Sequence, residues 1–469
     1  MRPLAGERRN AGFPAGGTWR RLGSHPVGIS QKYLYRWFVS EVDMGSQSGQ
    51  FMPAVSRFIG EETPELVEGH GATVVDADGN EYVDFFAQHA AMSHGYSHPE
   101  VVSAVSEQTE RLNFSAYDFP TEPSRRLTER LAEVAPGDLE RSYFVNSGSE
   151  AVEVALTLAR RATGNHEFLA LGEAFHGRTY GARSLVGWSG YREGFGPFLP
   201  SVTHVPSYNC EEFPGGEPET GAEYAEILEY ILEYQVSDVA AFIAEPMFGT
   251  AGNIPAPEGY FKRIKEICDE HGILFIADEV ITGFGRTGKP FGIDHYDVEP
   301  DVMTTAKALG GGMPIGATIA TPEVADAFES MDYFSTFGGN PVATAAGLAS
   351  LDVFEEEDLA GNAAEAGEYL LDQLHDLQSR YPFVGEIRGR GLLVGVDLID
   401  PDDGSPLAKE HSLDLRRDAI DRGLILPAGQ GWNGNTIRIN PPLVIDDDEL
   451  DRGVAVMDEC FELLADRLA

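Results

Sequence analysis

The chain has 469 residues, 42% of them apolar, and a formal net charge of −42. That is enough chain to bury a large core and to divide into two or three domains. The charge excludes nucleic acid and anionic membrane surfaces as partners, because both are polyanions that would repel it. Three scattered cysteines, Cys210, Cys268 and Cys460, form no CxxC pair. They point to a reducing cytoplasm without a disulfide framework, structural zinc or other metal site. No apolar run approaches the ~20 residues of a membrane span.

The acids are spread through patterned segments rather than gathered in a tail, and there are six lysines against 28 arginines. An acidic, lysine-poor but well-patterned chain suits a halophilic cytoplasm of molar salt, where screening removes the self-repulsion. Residues 1–43 stand apart, with seven Lys+Arg against three Asp+Glu. Twin arginines at Arg8-Arg9 and Arg20-Arg21 lack the apolar segment of a targeting peptide. This stretch reads as a disordered extension, or as sequence upstream of a true start at Met44.

From Gly71, ATVVDADGNEYVDFF reads as a hairpin turning at Asp78-Gly79-Asn80. A helix follows from Pro99, with Val101, Val102, Val105 and Leu112 on or near one face. The middle third alternates helices with strand-like runs at 167–172, 239–246, 273–280, 301–306 and 315–321. The segment 258–272 collects Tyr260, Phe261, Ile264, Ile267 and Cys268 on one face and stops at Gly272. Such alternation implies βαβ units and a largely parallel sheet. Near the C-terminus, amphipathic helices around 362–380 and 448–468 flank short strands at 391–399 and 436–442, which reads as a smaller α+β domain.

Ligands of open parallel sheets bind at the carboxyl ends of the strands. Glu245, Asp278 and Lys307 sit at such ends. A strand-end acid is often a cap, and a lysine is usually a surface residue. Lys307, however, alone among the six lies in a small-residue apolar stretch, TTAKALGGGMPIG. A lysine in an apolar pocket has a lowered pKa and becomes a nucleophilic amine suited to a Schiff base. The turn Asn146-Ser147-Gly148-Ser149-Glu150 opens a helix, where backbone N–H groups can hold an anion; alone it is equally a simple cap. An anion cradle, a strand-end acid and a buried-type lysine together are what pyridoxal 5′-phosphate (PLP) requires. A nucleotide-binding reading of Gly310-Gly311-Gly312 fails, because no GxGxxG lies between a strand and a helix.

From about residue 52 onward the chain resembles the class III aminotransferases of PLP fold type I. The matching motifs are Asn146 to Glu150, Phe175-His176-Gly177-Arg178-Thr179, Ala244-Glu245-Pro246, Ala277-Asp278-Glu279-Val280, Gly283 to Gly288, Ala306-Lys307 and Thr336 to Pro341. The resemblance implies an α/β fold: a large domain (99–361) with a mostly parallel seven-stranded sheet between helices, and a smaller α+β domain from both chain ends (44–98 and 362–469). It implies that Lys307 holds the cofactor aldehyde and moves the substrate proton, that Asp278 pairs with the pyridine nitrogen, and that Gly148 and Ser149 hold the phosphate. Phe175 and Val280 would pack on opposite ring faces, His176 would orient, and Glu245 would border the cofactor. Thr336 would reach the phosphate of the neighbouring subunit in a homodimer with shared active sites, possibly a tetramer. Arg178 and Arg438 are the candidate clamps for the carboxylates of amino and 2-oxo acids, since a guanidinium grips a carboxylate with two hydrogen bonds. Arg286 reads as structural.

Two departures from the family bear on substrate. Relatives that return nitrogen to 2-oxoglutarate often read EPxQGEGG, whereas this chain has Glu245-Pro246-Met247-Phe248-Gly249-Thr250-Ala251-Gly252. The acid that pairs with the carboxylate-binding arginine is replaced by Thr250, so dual recognition must work differently. The usual Gln after Asp-Glu-Val is Ile281. The DEVITGFGRTG form resembles the ω-amino acid:pyruvate and alanine:glyoxylate branches. The expected activity is transfer of an amino group from an ω-amino acid or alanine-like donor to a small 2-oxo acid, by ping-pong. A decarboxylating reaction of the 2,2-dialkylglycine type ranks second, because counting through Ala87-Gln88-His89-Ala90-Ala91 puts His89, not the required Gln, at the corresponding place.

Overall fold

The computed structural model describes residues 64–469 except 211, 212, 215 and 217. The readings made for residues 1–43 and for the start of the 44–98 segment lie outside the described residues.

Seven strands form the central sheet, in the spatial order 141–145, 316–320, 302–305, 274–278, 239–244, 167–171, 202–205. Gly316–Ala320 runs antiparallel to both neighbours. Every other adjacent pair is parallel. Val239–Ala244 is buried at every position, as its unbroken apolar run requires for a strand covered on both faces. On one side the Gly148–Thr163 helix sets Val152, Ala155 and Ala159 against Phe168, Ile243 and Ile276. On the other, the helices Glu122–Val134, Gly221–Tyr234 and Tyr260–His271 bring Leu127, Leu228, Phe261 and Ile264 to Phe242 and Phe275. All five residues assigned to the apolar face of Tyr260–His271 are buried. The helix ends at Gly272, whose φ of 67° is left-handed and suits glycine.

A further core joins the two ends of the described chain. Ala72, Val83 and Phe85 pack with side chains of the helices Leu359–Arg380, Lys409–Ile420 and Asp447–Leu468. Leu424–Ile425 pairs parallel with Val83 and Asp84. The expected hairpin is present, with Thr73 opposite Val83. Its turn is closed by the Asp76 carboxylate, which accepts from the backbone N–H groups of Asp78 (3.0 Å) and Asn80 (2.8 Å). Among the described residues, no helix is long and apolar enough to cross a membrane.

The helix Pro99–Arg111 departs from its expected face. Val101 packs on Ala346 and Ala349, but Val102 is 53% exposed and Leu112, just past the helix, is 47% exposed. The helix lies on another helix rather than on the sheet, so its buried stripe is narrow. Phe114, Tyr117, Phe119, Phe334 and Phe337 are exposed as well. Phe114 meets Phe337, and Tyr117 meets Tyr333, each with ring centroids 5.0 Å apart.

Candidate active site

Three adjacent strands bring their carboxyl ends together: Glu245 follows Val239–Ala244, Asp278 closes Leu274–Asp278, and Lys307 follows Val302–Thr305 by two residues. They border a cavity of about 380 Å³. Gly148, Ser149, Phe175, His176, Glu245, Asp278, Val280 and Lys307 all line it, with Ile281 beside them. Arg438 stands on the strand Thr436–Ile439, in a separate three-stranded sheet with Val384–Arg390 and Leu393–Leu398, near enough to act electrostatically on Lys307. Arg178 is exposed. Thr336 is exposed and does not line the cavity of its own chain.

Asp278 is held at both oxygens. His176 Nδ1 lies 2.7 Å from Oδ2, the Thr304 hydroxyl donates to Oδ1 (3.0 Å), and so does the Val280 N–H (3.2 Å). Thr304 is the register partner of Asp278 on the next strand, so sheet pairing itself sets that contact. Glu245 accepts from the N–H groups of Phe175 (2.9 Å) and Gly249 (3.0 Å). Burial raises its pKa, and the Asp278 charge adds to the rise while His176 opposes it. Burial, and then the charge of Arg438, push the Lys307 amine down to about 8. Lys307 has φ +46°, a left-handed conformation that costs roughly 1–3 kcal/mol and survives only where the surroundings enforce it.

The turn before the Gly148–Thr163 helix is cross-braced. The Ser147 hydroxyl caps the N–H of Glu150 (3.2 Å), and the Glu150 carboxylate accepts from the backbone (2.7 Å) and side chain (2.9 Å) of Asn146. A Cβ on Gly148 would come within 2.8 Å of Val280. The Ser149 hydroxyl accepts from the N–H of Arg178 at 3.0 Å. The first N–H groups of the helix therefore face the cavity at its positive end, which is the chemistry of a phosphate cradle. His176 Nε2 is buried and has no hydrogen-bond partner among the described residues. Cradle, carboxylate, aromatic wall and lysine thus fit PLP.

Sequence reasoning missed the residues around the two arginines. The Arg178 guanidinium stacks over Tyr191 (5.2 Å) and Phe175 (5.7 Å). Beyond Tyr191, Trp188 and Trp432 stack at 5.4 Å. Arg438 Nε donates to Asn253 Oδ1 (3.1 Å), and Thr250 makes no hydrogen bond to it. His89 lies within electrostatic reach of Arg438, Lys307 and Arg178. Arg286 is structural, as read: its guanidinium is buried and donates to the carbonyls of Leu392 (3.1 Å) and Pro441 (2.5 Å) and to the Ser93 hydroxyl (3.2 Å).

The class III aminotransferase family model matches residues 61–461. The chain belongs to the class III aminotransferases. It is 42% identical over 392 residues to an acetylornithine aminotransferase of Methanopyrus kandleri, covering 83% of this chain and 92% of that protein. It is 38% identical over 395 residues to a leucine/methionine racemase of Thermococcus litoralis, covering 83% and 88%. Among solved structures, an (S)-enantioselective ω-transaminase from Thermomicrobium roseum superposes with a TM-score of 0.81 at 34% identity, covering 86% of this chain and 93% of that one. The fold is that of PLP fold type I transaminases, and the protein is a PLP-dependent transaminase.

Proposed function

We propose that this enzyme transfers an amino group from an ω-amino acid or alanine-like donor to a small 2-oxo acid (pyruvate, glyoxylate or 2-oxoglutarate) in two alternating half-reactions. The observation that carries the reading is one cavity lined by both Lys307 and Asp278, with Arg438 within electrostatic reach of Lys307 and in no ion pair among the described residues.

When bound, PLP supplies an electron sink for the carbon that loses its proton. Gly148 and Ser149 would hold its phosphate, Phe175 and Val280 would flank its ring, and Asp278 would hold its ring nitrogen in the protonated state. His176 and Thr304 keep the Asp278 carboxylate aimed for that task. Lys307 Nζ would take the proton from the reacting substrate carbon and deliver it to the cofactor carbon that keeps the amino nitrogen. Its lowered pKa leaves a larger share of free amine at neutral pH than an ordinary lysine has. Arg438 grips the substrate carboxylate, and Arg178 stands at the mouth as the second clamp.

The working unit in this reading is a homodimer in a cytoplasm of high salt. The exposed apolar residues between Leu112 and Phe119 and between Phe334 and Phe337 support a covered face, since a patch of this kind on a soluble protein marks an interaction surface. Thr336 belongs to that face.

The test is an absorbance spectrum of the holoenzyme in molar KCl, before and after β-alanine, 4-aminobutyrate or L-alanine is added without acceptor. Loss of the visible cofactor band with one donor, restored by a 2-oxo acid, supports transamination. Bleaching only by a dialkylglycine with release of carbon dioxide, or racemisation without bleaching, contradicts it.

A further inference from the structure

We infer that Asn253 holds Arg438 as a permanently unmasked carboxylate receptor, so that donor and acceptor both present an α-carboxylate to the same guanidinium. The inference rests on the transaminase reading and narrows its donor to the alanine-like class.

Asn253 is fully buried. Its Nδ2 donates to the Val394 carbonyl at 2.8 Å. That contact fixes which way the amide faces, so Oδ1 is the atom offered to Arg438 Nε. Val394 lies on the strand paired with Thr436–Ile439, where Gly395 stands opposite Arg438. The carbonyl that orients Asn253 and the arginine it holds therefore belong to one sheet. The loop is tied from both ends: Asn253 N–H donates to Gly249 (3.2 Å), and Arg388 Nε donates to the Gly252 carbonyl (3.2 Å). Asn253 has φ +57°, which Asn tolerates better than most residues.

Among the described residues no carboxylate forms an ion pair with Arg438, although Glu245 acts on it through space. Asp397, on the same sheet, is engaged by Arg388 at 2.6 and 2.9 Å and by the Thr436 hydroxyl at 2.6 Å. Glu245 is engaged by two backbone N–H groups. A carbonyl on Nε positions the guanidinium without cancelling its charge, and the two terminal nitrogens keep their fork for a ligand. A carboxylate partner would cancel the charge and would have to swing away before a substrate acid could enter. A buried, unpaired cation is unfavourable until an anion arrives. An α-carboxylate completes the pair, whereas an ω-amine or a simple amine leaves it incomplete.

The experiment compares wild-type holoenzyme with Asn253→Asp. Three quantities are read: the dissociation constant of propionate, an unreactive carboxylate, by calorimetry; the half-saturating concentration and limiting rate of band bleaching by L-alanine; and the same for isopropylamine, in which a methyl replaces the carboxylate. Installing an acid against Arg438 should weaken propionate and L-alanine by at least about tenfold, with the limiting rate within about threefold and isopropylamine unaffected. Unchanged propionate binding, or equal weakening of L-alanine and isopropylamine, overturns the inference. Should Asn253→Asp not fold, the wild type decides: L-alanine should exceed β-alanine and isopropylamine by at least about tenfold, and parity overturns it. If no donor bleaches the wild type, the transaminase reading fails, while propionate binding still reports on Arg438.

Discussion

The contact between His176 and Asp278 offers the sharpest energetic test of how the chain prepares its cofactor site. His176 Nδ1 and Asp278 Oδ2 are 2.7 Å apart, with side chains 0% and 4% exposed. A buried hydrogen bond to a charged group contributes about 1.5–3 kcal/mol. Replacing His176 with Leu, of similar volume, removes that donor and leaves Thr304 and Val280 as the remaining contacts of the carboxylate. A carboxylate one donor short is less well aimed and less stabilised, so cofactor affinity should fall about 10- to 100-fold. The assay is titration of apoenzyme with PLP in molar KCl, followed by the visible band, alongside a melting curve. His176→Asn, whose amide N–H can stand near the Nδ1 position, should recover part of the loss. A dissociation constant within twofold of wild type, in a His176→Leu variant that melts normally, would refute the positioning role.

Arg286→Met leaves the Leu392 and Pro441 carbonyls and the Ser93 hydroxyl without their donor, and should lower stability by about 3 kcal/mol or more in denaturant titration. Near-wild-type stability would contradict its structural role. Burial raises the Glu279 carboxyl to about 7, against bonds from the Thr282 hydroxyl and the N–H groups of Ile293 and Gly292. A raised folded-state pKa means stability that is complete below the ordinary value of 4.5 and lost as pH rises through about 7. Glu279→Gln should therefore flatten the pH dependence of the urea midpoint between these limits; an unchanged slope would count against it. With a net charge of −42 and a Debye length that shrinks from about 10 Å at 0.1 M salt to about 3 Å at 1 M, the melting temperature should climb steeply with KCl. A flat or falling profile would remove the high-salt reading.

Much of the site was legible because its parts are local patterns. Lys307 stood out by its apolar neighbours, Asp278 and Glu245 by ending apolar runs, and Gly148 and Ser149 by the strand–turn–helix around them. Parallel pairing then brings those strand ends together without further information. Arg438 could be named, but its partner could not, because Asn253 lies 185 residues away in a loop. The substitution at Thr250 signalled that an acid was missing, not what replaced it. Residues 87–90 carry four consecutive left-handed φ values, 43°, 46°, 67° and 61°, in a stretch with no glycine to announce them. That turn is imposed from outside, by Asn440 Nδ2 on the Phe86 carbonyl (2.6 Å) and by Asp84 on the Phe86 N–H (2.7 Å). It sets His89 towards the cations. Val102 and Leu112 were assigned inward because helical periodicity marks an apolar position without saying what covers it.

The central claim is that Lys307 is the residue that carries PLP. Holoenzyme reduced with borohydride, digested and mapped by mass spectrometry should show the reduced cofactor on the peptide containing Lys307 alone, and Lys307→Ala should show none. Label on another lysine, or an unlabelled Lys307 in folded protein that displays the visible band, would contradict it.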